Sequence, residues 1–104
     1  SNPDEFKLYQ NYPNPFNNQT TIKYDIPTMM VNMVDVEIHI YNTLGKLVKT
    51  IDEGDKPVGQ YTTVWDGKND DGDNVSSGVY FYQLRAKVDG QSDFNKTMKM
   101  VIVR

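Results

Sequence analysis

No stretch restricts the fold of this chain as tightly as residues 61–84, YTTVWDGKNDDGDNVSSGVYFYQL. It holds the only tryptophan, Trp65, and three of the seven tyrosines. From Gly78 onward the residues alternate. Tyr80, Tyr82, Leu84, Ala86 and Val88 fall on one side, and Val79, Phe81, Gln83, Arg85 and Lys87 on the other. That is the two-residue period of a strand with one buried face. Upstream, residues 60–65 form a second strand ending in the indole, and residues 66–77 between them carry Val75 as their sole apolar side chain. Aromatic side chains bury large areas. The stretch therefore reads as a hairpin anchored by Tyr61, Trp65, Tyr80 and Tyr82, with the remaining chain arranged to cover it.

The remaining segments follow the same period. Residues 20–26 place Ile22, Tyr24 and Ile26 inward and Thr21, Lys23 and Asp25 outward, and Pro27 stops them. Residues 34–42 place Val34, Val36, Ile38 and Ile40 inward. A turn with Gly45 able to take a positive φ leads into residues 46–51, where Leu47, Val48 and Ile51 are expected to pack. Asp89 and Gly90 mark a hairpin turn before a last strand whose Met98, Met100 and Ile102 share one face. Near the start, Pro13 and Pro15 cannot donate to a ladder, so residues 6–16 read as a stiff strip crossing one end, pinned by Tyr9, Tyr12 and Phe16. Met29, Met30 and Met33 lie in a connection. They read either as gap fillers tucked under the sheet, the simpler expectation, or as an exposed contact surface open to self-association.

About seven strands in one 104-residue domain imply an all-β, immunoglobulin-like sandwich of antiparallel strands. With no cysteine, the inter-sheet disulfide of that fold is replaced by aromatic volume, and thiolate chemistry is excluded. A net charge of -3 with no basic block argues against nucleic-acid binding. No apolar run reaches the roughly 18–20 residues of a membrane helix. No signal peptide pattern heads the sequence as given, so an export signal is expected on a longer precursor.

Little in the residues points to catalysis. His39 is the lone histidine and falls on the polar face of its strand, where a solvated side chain is expected and no histidine dyad can be built. Ser76 and Ser77 read as turn formers. Asp66, Asn69, Asp70, Asp71 and Asp73 crowd one loop and offer hard oxygen ligands. Placing Gly72 at the invariant glycine of a calcium loop, however, puts Gly67 at the first ligand position and Gly78 at the last. Turn chemistry is the better reading, and neither metal nor cofactor is expected. The chain reads as a module without catalytic machinery.

Four motifs occur in order: YPNPFNNQTTIKYDIP, VEIHIYNTLGKLVKTI, VGQYTTVWDGKNDDGDNVSSGVYFYQL and TMKMVIVR. Together they resemble the type A C-terminal sorting domain of the type IX (Por) secretion system, and are similar to the Ig-like domain of the flagellar hook-capping protein. The resemblance implies a sandwich that follows a cargo domain, crosses the periplasm, meets the outer-membrane translocon and is met by a sortase-like peptidase. The cargo then ends at the cell surface or in the medium. By that resemblance the motif residues are Pro13, Asn14, Pro15 and Phe16; Tyr41, Asn42, Leu44 and Gly45; and Gly59, Tyr61, Trp65, Asp66, Gly67, Gly72, Gly78, Tyr80 and Tyr82. The terminal signal is Lys99, Met100, Val101, Ile102, Val103 and Arg104. A final strand at a sheet edge offers backbone groups and basic heads in fixed geometry, so Lys96, Lys99 and Arg104 are the expected recognition surface. The competing expectation is an adhesive accessory module of a secreted glycoside hydrolase or other surface protein, with Tyr41 and Phe81 exposed to polysaccharide.

Overall fold

The computed structural model describes residues 2–28, 33–89 and 92–104. Seven strands run through them: β1 (Lys7–Leu8), β2 (Thr20–Ile26), β3 (Val34–Tyr41), β4 (Leu47–Lys56), β5 (Gly59–Trp65), β6 (Gly78–Lys87) and β7 (Phe94–Ile102). They form two antiparallel sheets, ordered β1-β2-β5 and β4-β3-β6-β7. The alternation read from the sequence places the core between them. Ile22, Tyr24 and Ile26 of β2 face Val36, Ile38 and Ile40 of β3 and Tyr82, Leu84 and Ala86 of β6, all buried. Trp65 is 1% exposed and closes one end of this layer.

Several expectations are corrected. Residues 61–84 are not a hairpin: β5 pairs with β2, and β6 pairs with β3 and β7. Periodicity fixes which face of a strand is apolar but not which sheet it joins. The long 66–77 loop spans the roughly 10 Å between packed sheets. Tyr61 is a half-buried flank rather than a core anchor, and its ring stacks on buried Tyr24 at 5.6 Å. Leu47 is 41% exposed, because a register irregularity beside Tyr41 turns it off the core face, while Val48 and Ile51 do pack against the core. Tyr12 is 79% exposed and is held by its backbone bridge to Thr21 rather than by its ring. Met33 is also exposed, because the core position falls to Val34. Met29, Met30 and the Gly90 half of the expected turn lie outside the described residues.

Asp25, expected outward, is buried because Tyr9 lies over it. Tyr9 Oη donates to Asp25 Oδ2 at 2.6 Å, and that bond raises the Tyr9 pKa above its ordinary value. The ammonium groups of Lys7 and Lys23 each stand 4.6 Å from the centre of the Tyr9 ring.

Candidate functional site

The strip of residues 9–16 changes sheets. At Tyr12 it pairs with β2, and at Phe16 it forms a parallel bridge to Ile102 of β7. Phe16 N–H donates to Val101 C=O at 3.1 Å, and Val103 N–H donates to Phe16 C=O at 2.9 Å. Asn14 Oδ1 accepts from Val101 N–H at 3.0 Å, and Gln10 Nε2 donates to Lys99 C=O at 2.8 Å. The proline motif thus lies directly on the terminal strand. Pro13 and Pro15 are exposed and line a shallow recess with Phe16, Asn17 and Val103.

The Phe16 side chain is buried edge-on against Trp65, with ring centres 5.8 Å apart, and Trp65 meets Tyr80 edge-on at 6.0 Å. The polar atoms of both partners are satisfied. Trp65 Nε1 donates to Lys68 C=O at 2.9 Å, and Tyr80 Oη donates to Ser76 C=O at 2.8 Å. Both acceptors belong to the 66–77 loop, so the aromatic cluster shapes that loop from below. Gly78 opens β6 opposite Ile102.

Arg104 is not a free basic head. Its Nε donates to Val75 C=O at 2.6 Å, its Nη2 to Gly67 C=O at 2.8 Å, and its backbone N–H to Ser77 Oγ at 2.9 Å. A guanidinium offers five donors in a rigid fork, which suits it to tying two carbonyls of one loop. Lys96 and Lys99 do stand exposed on β7. Of the residues singled out from the sequence, the structure gathers Pro13, Asn14, Pro15, Phe16, Trp65, Gly78, Tyr80 and Arg104 at one end. Gly45, at φ +80, sits in the separate turn after β3, where Asn42 Oδ1 accepts from Leu44 N–H and Lys46 N–H.

The acidic loop is occupied by turn bonding. Asn69 Oδ1 accepts from Asp71 N–H and Asp73 N–H, Asp66 Oδ1 from Lys68 N–H, and Asp70 Oδ1 from Thr50 N–H. Among the described residues, no three acidic, histidine or cysteine side chains converge as a metal site would require.

His39 departs from the solvated side chain expected, with 14% of its side chain exposed. Nε2 lies 2.8 Å from Glu37 Oε1, Nδ1 lies 3.2 Å from Tyr41 Oη, and Arg85 Nη1 is 3.4 Å from Nδ1. A guanidinium only donates, so the Arg85 contact suits an Nδ1 that accepts, with Nε2 facing the Glu37 carboxylate. The signal was present in the sequence, since residues 37, 39 and 41 share one strand face. Tyr41 and Phe81 face one another across β3 and β6 and are half-buried, short of the open aromatic row an adhesive face needs.

Sequence reasoning missed Asn11 and Thr20, which are 2% and 1% exposed. Asn11 Nδ2 donates to Thr20 Oγ1 at 2.9 Å and to Pro13 C=O at 3.2 Å, and Thr20 Oγ1 donates to Pro13 C=O at 2.9 Å. Asn11 N–H donates to Tyr82 Oη at 2.8 Å, and that hydroxyl donates to Tyr9 C=O at 2.7 Å. Short polar residues beside prolines look like ordinary turn formers, so nothing in the sequence marked them.

Residues 17–91 match the family model of the FlgD Ig-like domain. The chain belongs to that family. The matched residues stop short of both the proline strip and β7, the two segments that pair with each other. Among solved structures, dimeric latent PorU from Porphyromonas gingivalis is similar over 97% of this chain and 9% of its own. Its TM-score is 0.80 at 21% identity. FlgD from P. aeruginosa is similar over 81% of this chain and 61% of its own, with TM-score 0.66 at 20% identity. The FlgD-like chain thus spans about a tenth of the PorU polypeptide. Among curated proteins, none matches the sequence.

Proposed function

We propose that this FlgD-like domain, residues 1–104, is a C-terminal targeting module without catalytic activity. It directs a cargo protein attached on its N-terminal side through the type IX secretion system to the cell surface or the medium. Its partners on that route are the outer-membrane translocon and a sortase-like peptidase. The observation that carries this reading is the bond pair between Phe16 and Val101 and Val103, which fastens the proline motif to the terminal motif. Two motifs far apart in sequence become one rigid surface, and a receptor that accepts unrelated cargoes needs such a shared, fixed surface. The similarity to PorU over nearly the whole chain is in keeping with the resemblance of the motifs to the type IX (Por) sorting domain.

Within this surface the terminal strand presents Lys96 and Lys99, whereas Arg104 holds the loop of residues 66–77. Deleting the last five residues would be a poor test, since Met100 and Ile102 are core and their loss unfolds the domain. The better test joins a fluorescent reporter ahead of the domain, behind a signal peptide, in a type IX-competent host and in a strain lacking the translocon. Reporter outside the first and confined to the periplasm of the second is expected. Equal release from both strains, or retention in both, overturns the proposal.

A further inference from the structure

The free edge of β7 is covered unevenly. Along an antiparallel edge strand alternate residues turn N–H and C=O outward. Val101, with both groups taken by the strip, marks the odd-numbered residues as the outward ones. From Lys99 C=O to Val103 N–H the edge is filled by Gln10, Asn14 and Phe16. Two of these partners are side-chain amides standing where a strand's backbone would be: Gln10 supplies an N–H and Asn14 a carbonyl oxygen. At residues 95–97, among the described residues, no hydrogen bond reaches the edge, and Asn95, Lys96 and Thr97 are all exposed. Phe6 stacks on Phe94 at 4.6 Å at one end of this opening, Gln10 reaches Lys99 at the other, and β1 between them lies close to β7 without hydrogen-bonding to it.

An unpaired edge invites another strand unless something blunts it. Here Lys96 and Lys99 flank the opening. A second copy paired about Lys96 would set lysine against lysine, which is unfavourable, whereas an acidic strand meets complementary charge in any register. We infer that the edge of β7 at residues 95–97 accepts, by strand addition, an extended acidic segment of the export machinery. This rests on the targeting function proposed above and names the mode and chemistry of its recognition step. The backbone of Asn95 and Thr97 supplies the ladder, and Lys96 and Lys99 set the charge preference.

The test uses the same reporter fusion. Thr97 pairs with Gln83, and its N–H points away from β6, so Thr97→Pro removes an outward donor without breaking the internal ladder. Export is expected to fall about tenfold, the worth of one lost backbone hydrogen bond, at unchanged melting temperature. Thr97→Ala, which keeps the N–H, is expected to export normally. Asn95→Pro repeats the test should Thr97→Pro lower the melting temperature. Lys96→Glu with Lys99→Glu, both on the surface, is expected to reduce export with the fold intact. Normal export of a folded proline variant, or of the charge-reversed domain, overturns the inference. A reporter that stays in the periplasm with the unsubstituted domain overturns the targeting function itself.

Discussion

Arg104 Nη2 and the Gly67 backbone are fitted to one another: the guanidinium donates to Gly67 C=O at 2.8 Å, and a Cβ at Gly67 would lie 2.7 Å from that same nitrogen. Gly67 also holds φ +73, in the left-handed region that side chains other than glycine's resist. A residue of the aromatic loop and the second residue past the end of β7 therefore specify each other, although they lie far apart in sequence.

Gly67→Ala should lower stability by about 1–3 kcal/mol, combining backbone strain with displacement of the guanidinium. In a domain of this size each kcal/mol moves the melting temperature by about 4–8 °C. Arg104→Ala alone should cost less, about 1 kcal/mol, since one of the two side-chain bonds it removes is solvent-exposed and its backbone bond to Ser77 remains. The double variant should melt higher than the sum of the two losses predicts, because removing Arg104 clears the space the new Cβ needs. Additive losses would show that the two residues do not interact.

Asn11→Ala should destabilise by about 1–3 kcal/mol, since it strips buried partners from Thr20 and Pro13. The effect should be local as well as global. The Val103 amide, held by Phe16 C=O, should exchange its hydrogen faster, whereas the Ile38 amide at the centre of β3 should track global stability alone. Hydrogen exchange resolved by residue checks both.

Trp65→Phe keeps an aromatic ring but gives up the bond to Lys68 C=O and part of the buried volume. A loss of about 2–4 kcal/mol is expected, read as a lower urea midpoint with unchanged slope. A changed slope would mean that the 66–77 loop had come away from the sandwich.

The strands were legible because one apolar face per strand leaves a two-residue period, and Ile22, Tyr24, Val36, Ile38, Tyr82 and Leu84 are buried as that period requires. Sheet membership was not legible. Trp65 and Tyr80 touch, as an inward-facing hairpin would also have them do, but they touch from opposite sheets. Of the site, the proline motif and the aromatic block were visible as residue types, and their meeting at Phe16 and Trp65 was not. Asp25 and His39 look like solvated polar positions because burial of a polar residue depends on what lies over it. Tyr9 and the Glu37–Tyr41–Arg85 set decide that, and strand register rather than local sequence brings Tyr9 and Arg85 there.

Alkaline unfolding should be governed by Tyr82 and Tyr24. Burial pushes the Tyr82 phenol up to about 12, and the Asn11 N–H bond opposes that only in part. Tyr24 is driven higher still, first by burial and then by its 2.5 Å bond to Glu53. An unfolded tyrosine ionises near pH 10. Below that pH both states hold their protons and the contribution of these phenols to stability is complete. Above it the unfolded chain gives up protons that the fold retains, so stability falls as pH climbs from about 10 toward 12. Tyrosinate absorbance of the folded domain should accordingly lack the signal of these two rings until the sandwich opens. Tyr82→Phe separates charge from packing. It leaves Asn11 N–H and Tyr9 C=O without their partner, so neutral-pH stability should drop by about 1–3 kcal/mol. Its stability should nevertheless fall less steeply above pH 10, because one buried phenol no longer titrates. An equally steep fall in this variant would place the alkaline sensitivity elsewhere.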